Sequence, residues 1–321
     1  MIEYILFVIG FVLLIKGADW LVAGSASIAK KHNVSDLVIG LTIVSMGTSM
    51  PELIVNILAS SSGASDIAVG NIIGSNISNI LLILGVAAVI YPLTIKNSTV
   101  YSEVPYSIIA ALLVAFVANA ALFQTVDLHI ISRLDGVLLM VFFALFMVYI
   151  LKLAKEGRAD MLEEAPDELL PMGKSILFVA LGMVGLFLGG KWVVDGAVKI
   201  AEECGMSEKL IGLTIVAIGT SLPELVTSAM AAYKKNTDIA IANVIGSNIF
   251  NLLWVLGISA MISPLTYDVA INTDIFVLLL ATCLIIFSLA TGKIKNKIGK
   301  PTGVLFLLCY IGYITFVVMR G

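Results

Sequence analysis

The chain has 321 residues, 60% of them hydrophobic and only 13% charged, with a formal net charge of −3. Soluble domains carry roughly a quarter charged residues, so this composition, with a mean hydropathy of +1.06, is that of a membrane protein. It excludes the basic footprint of a nucleic-acid-binding protein, and three scattered cysteines (Cys204, Cys283, Cys309) exclude a disulfide framework or a thiolate metal site and read as apolar packing residues.

A spanning helix needs about 20 mostly apolar residues. Such stretches predict spans at roughly 2–24, 36–60, 67–91, 105–124 and 134–152, and again at 175–199, 209–232, 239–262, 273–291 and 302–319. The first is read as a span and not a signal peptide, because no basic region precedes it and no small-x-small cleavage site follows before Lys30-Lys31. The expected fold is therefore an all-α membrane protein with ten transmembrane helices in two five-helix halves, 1–152 and 175–321. They are joined by an acidic linker, 153–174, that carries Glu156, Asp160, Glu163, Glu164, Asp167 and Glu168.

The second span holds Gly47-Thr48-Ser49-Met50-Pro51-Glu52. Pro51 cannot donate to the carbonyl of Gly47, and its ring crowds that carbonyl, so the helix should kink there. Freed carbonyls around Ser45 to Thr48 then need partners inside protein or in a wet cavity, and a bare cation is one such partner. Thr48 and Glu52 are four apart and share a face. A carboxylate in hydrocarbon is costly and marks a functional site by default. A structural proline kink would account for the glycine and proline, but not for the glutamate beside them. In the third span Asn71, Ser75 and Asn79 form a polar stripe at four-residue spacing. Ser75 and Asn79 are read as ion contacts, and Asn71 and Asn76 as packing or helix-positioning residues.

The second half repeats these features at a constant offset of 172: Trp20/Trp192, Gly24/Gly196, Ser35/Ser207, Gly40/Gly212, Glu52/Glu224, Ser75/Ser247, Asn79/Asn251 and Pro92/Pro264. Gly219-Thr220-Ser221-Leu222-Pro223-Glu224 is the second copy of the acidic motif, and Asn243, Ser247 and Asn251 are the second stripe. Ser247 and Asn251 are read as ion contacts, Asn243 and Asn248 as packing or helix-positioning residues. Because five spans is an odd number, the second copy should sit upside down relative to the first. An inverted repeat with interrupted helices points to a secondary transporter whose site lies near the midplane. Lys and Arg in the loops favour an N-out, C-out orientation with the linker in the cytoplasm, thirteen basic residues falling inside and four outside. His32 and His129 lie near span ends and read as interfacial or loop residues.

The donors offered are carboxylate, hydroxyl, amide and carbonyl oxygens, with no imidazole or thiolate near the motifs. That set suits Ca2+ or Na+ over zinc or copper. Two carboxylates balance one divalent cation, or monovalent cations or protons. Mutually exclusive occupancy of that kind is what an exchanger requires.

The paired GTS-x-PE segments, each followed by G-S-N-I-x-N, resemble the alpha repeats of the cation/calcium antiporter superfamily, and within it the prokaryotic sodium/calcium exchangers. The resemblance covers both halves and implies ten helices in two inverted halves, with the second, third, seventh and eighth as the ion-binding core and the first and sixth as a gating pair. It implies that Glu52 and Glu224 are the central cation ligands and that Thr48 and Thr220 add oxygens. Ser49, Ser221, Ser75, Ser247 and the carbonyls of Ser45 and Ala217 would line flanking sodium sites, and Asn79 and Asn251 would complete the centre. Many sodium/calcium exchangers have an aspartate where Asn251 stands. In the potassium-dependent branch that aspartate is associated with potassium, so its absence implies potassium-independent transport. The calcium/proton branch also resembles this Glu-Asn-Glu-Asn centre but lacks the GTS-x-PE form. The implied activity is therefore Ca2+ exchange against Na+ across the cell (plasma) membrane, with protons as the alternative counter-ion and a cation channel as a further alternative. The family pattern is electrogenic, and one net inward charge supplies about 2.3 kcal/mol per 100 mV. No resident cofactor is expected. The transported ions are Ca2+ and Na+, the bilayer is the surrounding partner, and the sequence names no protein partner. No nucleophile–base set in the spans suggests an enzyme.

Overall fold

The computed structural model describes residues 2–61, 65–95, 99, 101–120, 129–156, 169–204, 217–291 and 296–320. Most of the expected linker and the first part of the expected seventh span, 209–216, lie outside the described residues. The chain is nearly all helix. α1 is Ile2–Lys31, α2 is Asp36–Thr48 and α3 is Met50–Ser61. α4 begins as Ser65–Ser78, widens at Asn79–Ile83 and closes as Leu84–Ile90. α5 is Glu103–Ala118, α6 Arg133–Glu156 and α7 Met172–Glu203. The short α8, Ala217–Gly219, leads into α9, Leu222–Tyr233. α10 is Thr237–Ile262, α11 Asn272–Thr291 and α12 Lys300–Arg320.

By length and composition, seven helices among the described residues are able to cross a membrane, and an eighth crossing results if the bent pair α2–α3 counts as one. Among the expected spans, the fourth appears as a helix of 16 residues, α5, which ends at Asn119. α1 and α7 run longer than expected, 30 and 32 residues. Lys30 and Lys31 fall in the last turn of α1, where a cation meets the negative end of the helix dipole. Caps set the starts of the buried helices. The Ser35 hydroxyl accepts from Val38 N–H at 3.4 Å, and the Asn236 side chain accepts from Ile239 N–H at 3.0 Å.

α4 and α10 are largely buried, whereas α6 and α12 leave most of their apolar surface outside. Leu134, Leu145, Val148, Phe287, Leu308 and Ile311 are all more than half exposed. In water a surface of this extent would drive association; in hydrocarbon it needs no partner. The cysteines correct one expectation: Cys204, Cys283 and Cys309 are exposed rather than packed in the core.

Glycines fix how the long helices meet. A Cβ on Gly10 would lie 2.9 Å from the Gly189 carbonyl oxygen, one on Gly17 2.9 Å from that of Gly182, and one on Gly24 2.7 Å from that of Ser175. Partner numbers fall as α1 advances, so α1 and α7 cross antiparallel along a seam of bare backbone, the small-residue packing of membrane helices. The same contact recurs between α4 and α12 at Gly85 and Gly303, and between α6 and α10 at Gly136 and Gly257. Four two-residue strands tie the ends together: β1 (Leu93–Thr94) pairs antiparallel with β4 (Lys297–Ile298), and β2 (Ile130–Ile131) with β3 (Leu265–Thr266). Each pair joins one half of the chain to the other.

Candidate functional site

The two acidic motifs adopt the same local structure. α2 and α3 meet at Ser49 with a 44° bend, where Ser49 has φ −83° and ψ 4°. Ser221, before α9, has φ −86° and ψ 3°. Pro51 and Pro223 each fall in the first turn of the helix that follows, where a missing N–H costs nothing. Glu52 and Glu224 are therefore in the first turns of α3 and α9, near helix N-termini whose partial positive charge favours a carboxylate. Both glutamates are completely buried.

Around them α2 and α10 are tightly joined. The Ser45 hydroxyl donates to the Gly40 carbonyl at 2.7 Å and contacts the carbonyls of Ala242 and Asn243 at 3.3 Å. Gly246 makes room for it: a Cβ there would stand 2.2 Å from Ser45 Oγ. The Thr48 hydroxyl donates to Asn243 Oδ1 at 3.1 Å and meets Ser247 Oγ at 3.3 Å. The Ser49 hydroxyl donates to Glu224 Oε1 at 3.1 Å. Asn79 Nδ2 donates to Asn248 Oδ1 at 2.9 Å, and the Thr220 hydroxyl reaches Asn71 Oδ1 at 3.4 Å. Thr48, Ser49, Glu224 and Ser247 are thus drawn into one network with Asn243, and Asn79 and Asn248 bridge α4 and α10.

Buried oxygens of the same residues lack a hydrogen-bond partner: both carboxylate oxygens of Glu52, Glu224 Oε2, Asn79 Oδ1, Asn251 Oδ1, Ser75 Oγ and Ser221 Oγ. A buried polar group without a partner costs about 1–3 kcal/mol, and more if charged. Orphaned hard oxygen donors on these residues are what a cation would satisfy. Among the described residues no group of three or more His, Cys, Asp or Glu is assembled, so the donor set is two carboxylates among neutral oxygens. Two expected contributions differ in detail. The Ser45 carbonyl is not free: it accepts Ser49 N–H at 2.9 Å and the Thr48 hydroxyl at 3.3 Å. The physical reason is that Pro51 removes the donor to Gly47, not the donor to Ser45. Ala217 opens α8, and its side chain lies outside the described residues.

Asn243 acts as a helix-positioning residue: its amide donates to Ser228 Oγ at 2.9 Å and to the Glu224 carbonyl at 3.3 Å while its oxygen accepts Thr48. The polar stripe carried that signal, but not the partner. Asn79 opens a wide, π-type turn, Asn79–Ile83, and Asn251 lies in another, Phe250–Val255. Such turns gather at functional sites, and no sequence periodicity announces them.

The sequence matches the family model for sodium/calcium exchanger proteins over residues 2–152 and 174–319. The protein CaxA of Alkalimonas amylolytica is 40% identical over 321 residues, with 98% of each chain covered. The sodium/calcium exchanger MaX1 of Methanosarcina acetivorans is 31% identical, with 98% of this chain and 97% of that protein covered. A solved structure of the sodium-calcium exchanger NCX_Mj superposes with a TM-score of 0.79 at 34% identity, covering 98% of both chains.

Proposed function

We infer from its membership of the sodium/calcium exchanger family, to which the chain belongs, that it is a secondary antiporter exchanging Ca2+ for Na+ across the membrane. The observation that carries this reading is the pair of fully buried glutamates, Glu52 and Glu224, in one cluster of unpaired oxygens. The cluster has donors for a desolvated Ca2+. Its two carboxylates balance either one divalent ion or monovalent ions, so the two kinds of occupancy exclude one another.

We assign the fold to ten spans in two inverted five-helix halves, 1–152 and 175–321, with the acidic linker 153–174 between them. Support comes from the reciprocal contacts. Gly10 and Gly182 are 172 apart, as are Gly17 and Gly189, and each meets the other's partner. β1 and β3 are also 172 apart and pair with opposite halves. The family match falls on either side of the linker. The lysine distribution supports termini outside and the linker in the cytoplasm of a plasma-membrane protein.

In this reading Glu52 and Glu224 are the central ligands, helped by Thr48, Thr220, Asn79 and Asn251. Ser49, Ser221, Ser75, Ser247 and the carbonyls of Ser45 and Ala217 serve the flanking Na+ positions. The absence of a third carboxylate at Asn251 goes with potassium independence. The protein is a transporter, with no resident cofactor.

The test is 45Ca2+ uptake into proteoliposomes loaded with Na+, K+ or a pH gradient. Uptake is expected only with Na+ inside. Uptake driven by protons would replace the counter-ion, and flux that persists without any counter-ion would make the protein a channel. Asn251→Asp is expected to change the cation selectivity or the pH profile of uptake, because it adds a third charge to two that already repel; an unchanged profile would place Asn251 outside the site.

A further inference from the structure

The site is built from a repeat, and one of its hydrogen bonds is repeated, Thr48 to Asn243 Oδ1 at 3.1 Å and Thr220 to Asn71 Oδ1 at 3.4 Å, but the bonds made by the amide nitrogens are not. Asn243 Nδ2 donates to Ser228 Oγ at 2.9 Å. The counterparts at the 172 offset are Asn71 and Asn56, on the neighbouring helices α4 and α3, and there both Asn71 Nδ2 and Asn56 Oδ1 are buried without a partner. Asn56 is itself wholly buried, anchored through its Nδ2 to the Glu52 carbonyl at 2.9 Å. The same imbalance holds beside it. Ser49 donates to Glu224, but Ser221 and Glu52 are both orphaned. Gly246 is pressed against Ser45, but a Cβ on its counterpart Gly74 would meet nothing within 4 Å among the described residues.

A second, independent asymmetry lies at the helix pair outside the site. α1 packs along α9, and Lys234, just past the end of α9, binds the carboxylate and the carbonyl of Asp19 in α1. α7 makes no comparable contact with α3 among the described residues. Among the described residues, only one of the two faces carries such a contact. A repeat whose acidic and asparagine motifs match at a constant offset thus holds one of two unequal arrangements.

We infer that Asn243–Ser228 and Asn71–Asn56 are alternating positioning contacts: the first holds the site in the state seen here, and the second forms in the state open to the opposite face. Asn56 and Ser228 touch no ion. Each acts by accepting the amide that steadies its half of the site. The inference rests on the exchanger reading, under which α3 and α9 end at opposite faces. Here the face at which α9 ends is the closed one.

The test measures the Ca2+ concentration dependence of Na+-driven exchange separately in right-side-out and inside-out vesicles. A hydrogen bond of ordinary strength shifts the balance of two states by about five-fold, and the apparent affinity at each face falls with the population open to it. Ser228→Ala is expected to weaken apparent Ca2+ affinity at the face where α3 ends by up to about five-fold, with little loss at the other. Asn56→Ala should do the reverse. Asn56→Ser, which keeps an acceptor oxygen, should restore wild-type behaviour at both faces; a role confined to packing would not produce this mirrored split. Both alanine variants shifting the same face, either one leaving both faces unchanged, or Asn56→Ser behaving like Asn56→Ala would overturn the inference. If an alanine variant does not insert, the exchange Asn56→Ser with Ser228→Asn carries the test, because retained affinity at both faces supports the inference and loss at both overturns it. Wild-type vesicles that exchange normally confine any such failure to this inference. Wild-type vesicles without Na+-driven exchange would overturn the function and this inference with it.

Discussion

Glu52→Gln and Glu224→Gln are each expected to abolish Ca2+ exchange while the protein still folds and inserts. Two unit charges 4 Å apart interact by about 4 kcal/mol at an effective dielectric constant of 20. Each 1.4 kcal/mol is a factor of ten in affinity, so losing one carboxylate from a site that binds a divalent ion removes on the order of a thousand-fold or more. Stability should move the other way or not at all. Both glutamates are wholly buried and Glu52 has no hydrogen-bond partner for either oxygen, so a neutral amide of the same shape costs an ion-free protein no more than the unpaired carboxyl group it replaces. Uptake of 45Ca2+ in proteoliposomes, alongside thermal unfolding in detergent without Ca2+, separates the two effects. Turnover near wild type in either variant would remove that glutamate from the centre.

The second large effect concerns the α1–α7 seam. Gly17→Leu and Gly182→Leu are expected to block transport and to lower Tm by several degrees. The added Cβ alone would come within 2.9 Å of the Gly182 oxygen in the first case and within 2.8 Å of the Gly17 oxygen in the second. These are backbone atoms with no rotamer to yield, so the helices must part along their length; overpacking of this kind costs about 1–3 kcal/mol or more. Gly312→Leu is the control, because a Cβ at that position meets nothing within 4 Å. Equal damage from all three substitutions would mean that leucine at any helical glycine harms this protein, and that the seam is not special.

Much of this was legible in the sequence for physical reasons. Hydrocarbon is an unforgiving solvent, so the apolar stretches mark the helices and the two glutamates stand out within them. Pro51 and Pro223 announced a break, and the structure bends at the residue pair just before Pro51. The constant offset of 172 brought the two motifs together on paper before any contact was known. What the sequence withheld was of another kind. Helix periodicity does not distinguish a π-type turn from an α turn, so the widenings at Asn79–Ile83 and Phe250–Val255 left no trace. Nor does a repeat reveal which of its two copies is engaged. Asn71 and Asn243 occupy matching positions, yet only Asn243 has partners for its amide nitrogen. That choice belongs to the packing of whole helices against one another. The glycine seam was half visible, since Gly10, Gly17 and Gly24 recur every seven residues in the sequence, but the partner helix was not.

The short strand pairs have a consequence for how this chain is made. β1 must find β4 about two hundred residues further along, and β2 must find β3 across the linker. Contacts of such long sequence separation form late. Helices α1–α6 therefore leave the ribosome with the glycines of α1, the strands β1 and β2 and Glu52 all awaiting partners not yet synthesised. A chain cut within the linker should accordingly be recoverable only when both pieces are produced together, as two fragments that remain joined in detergent.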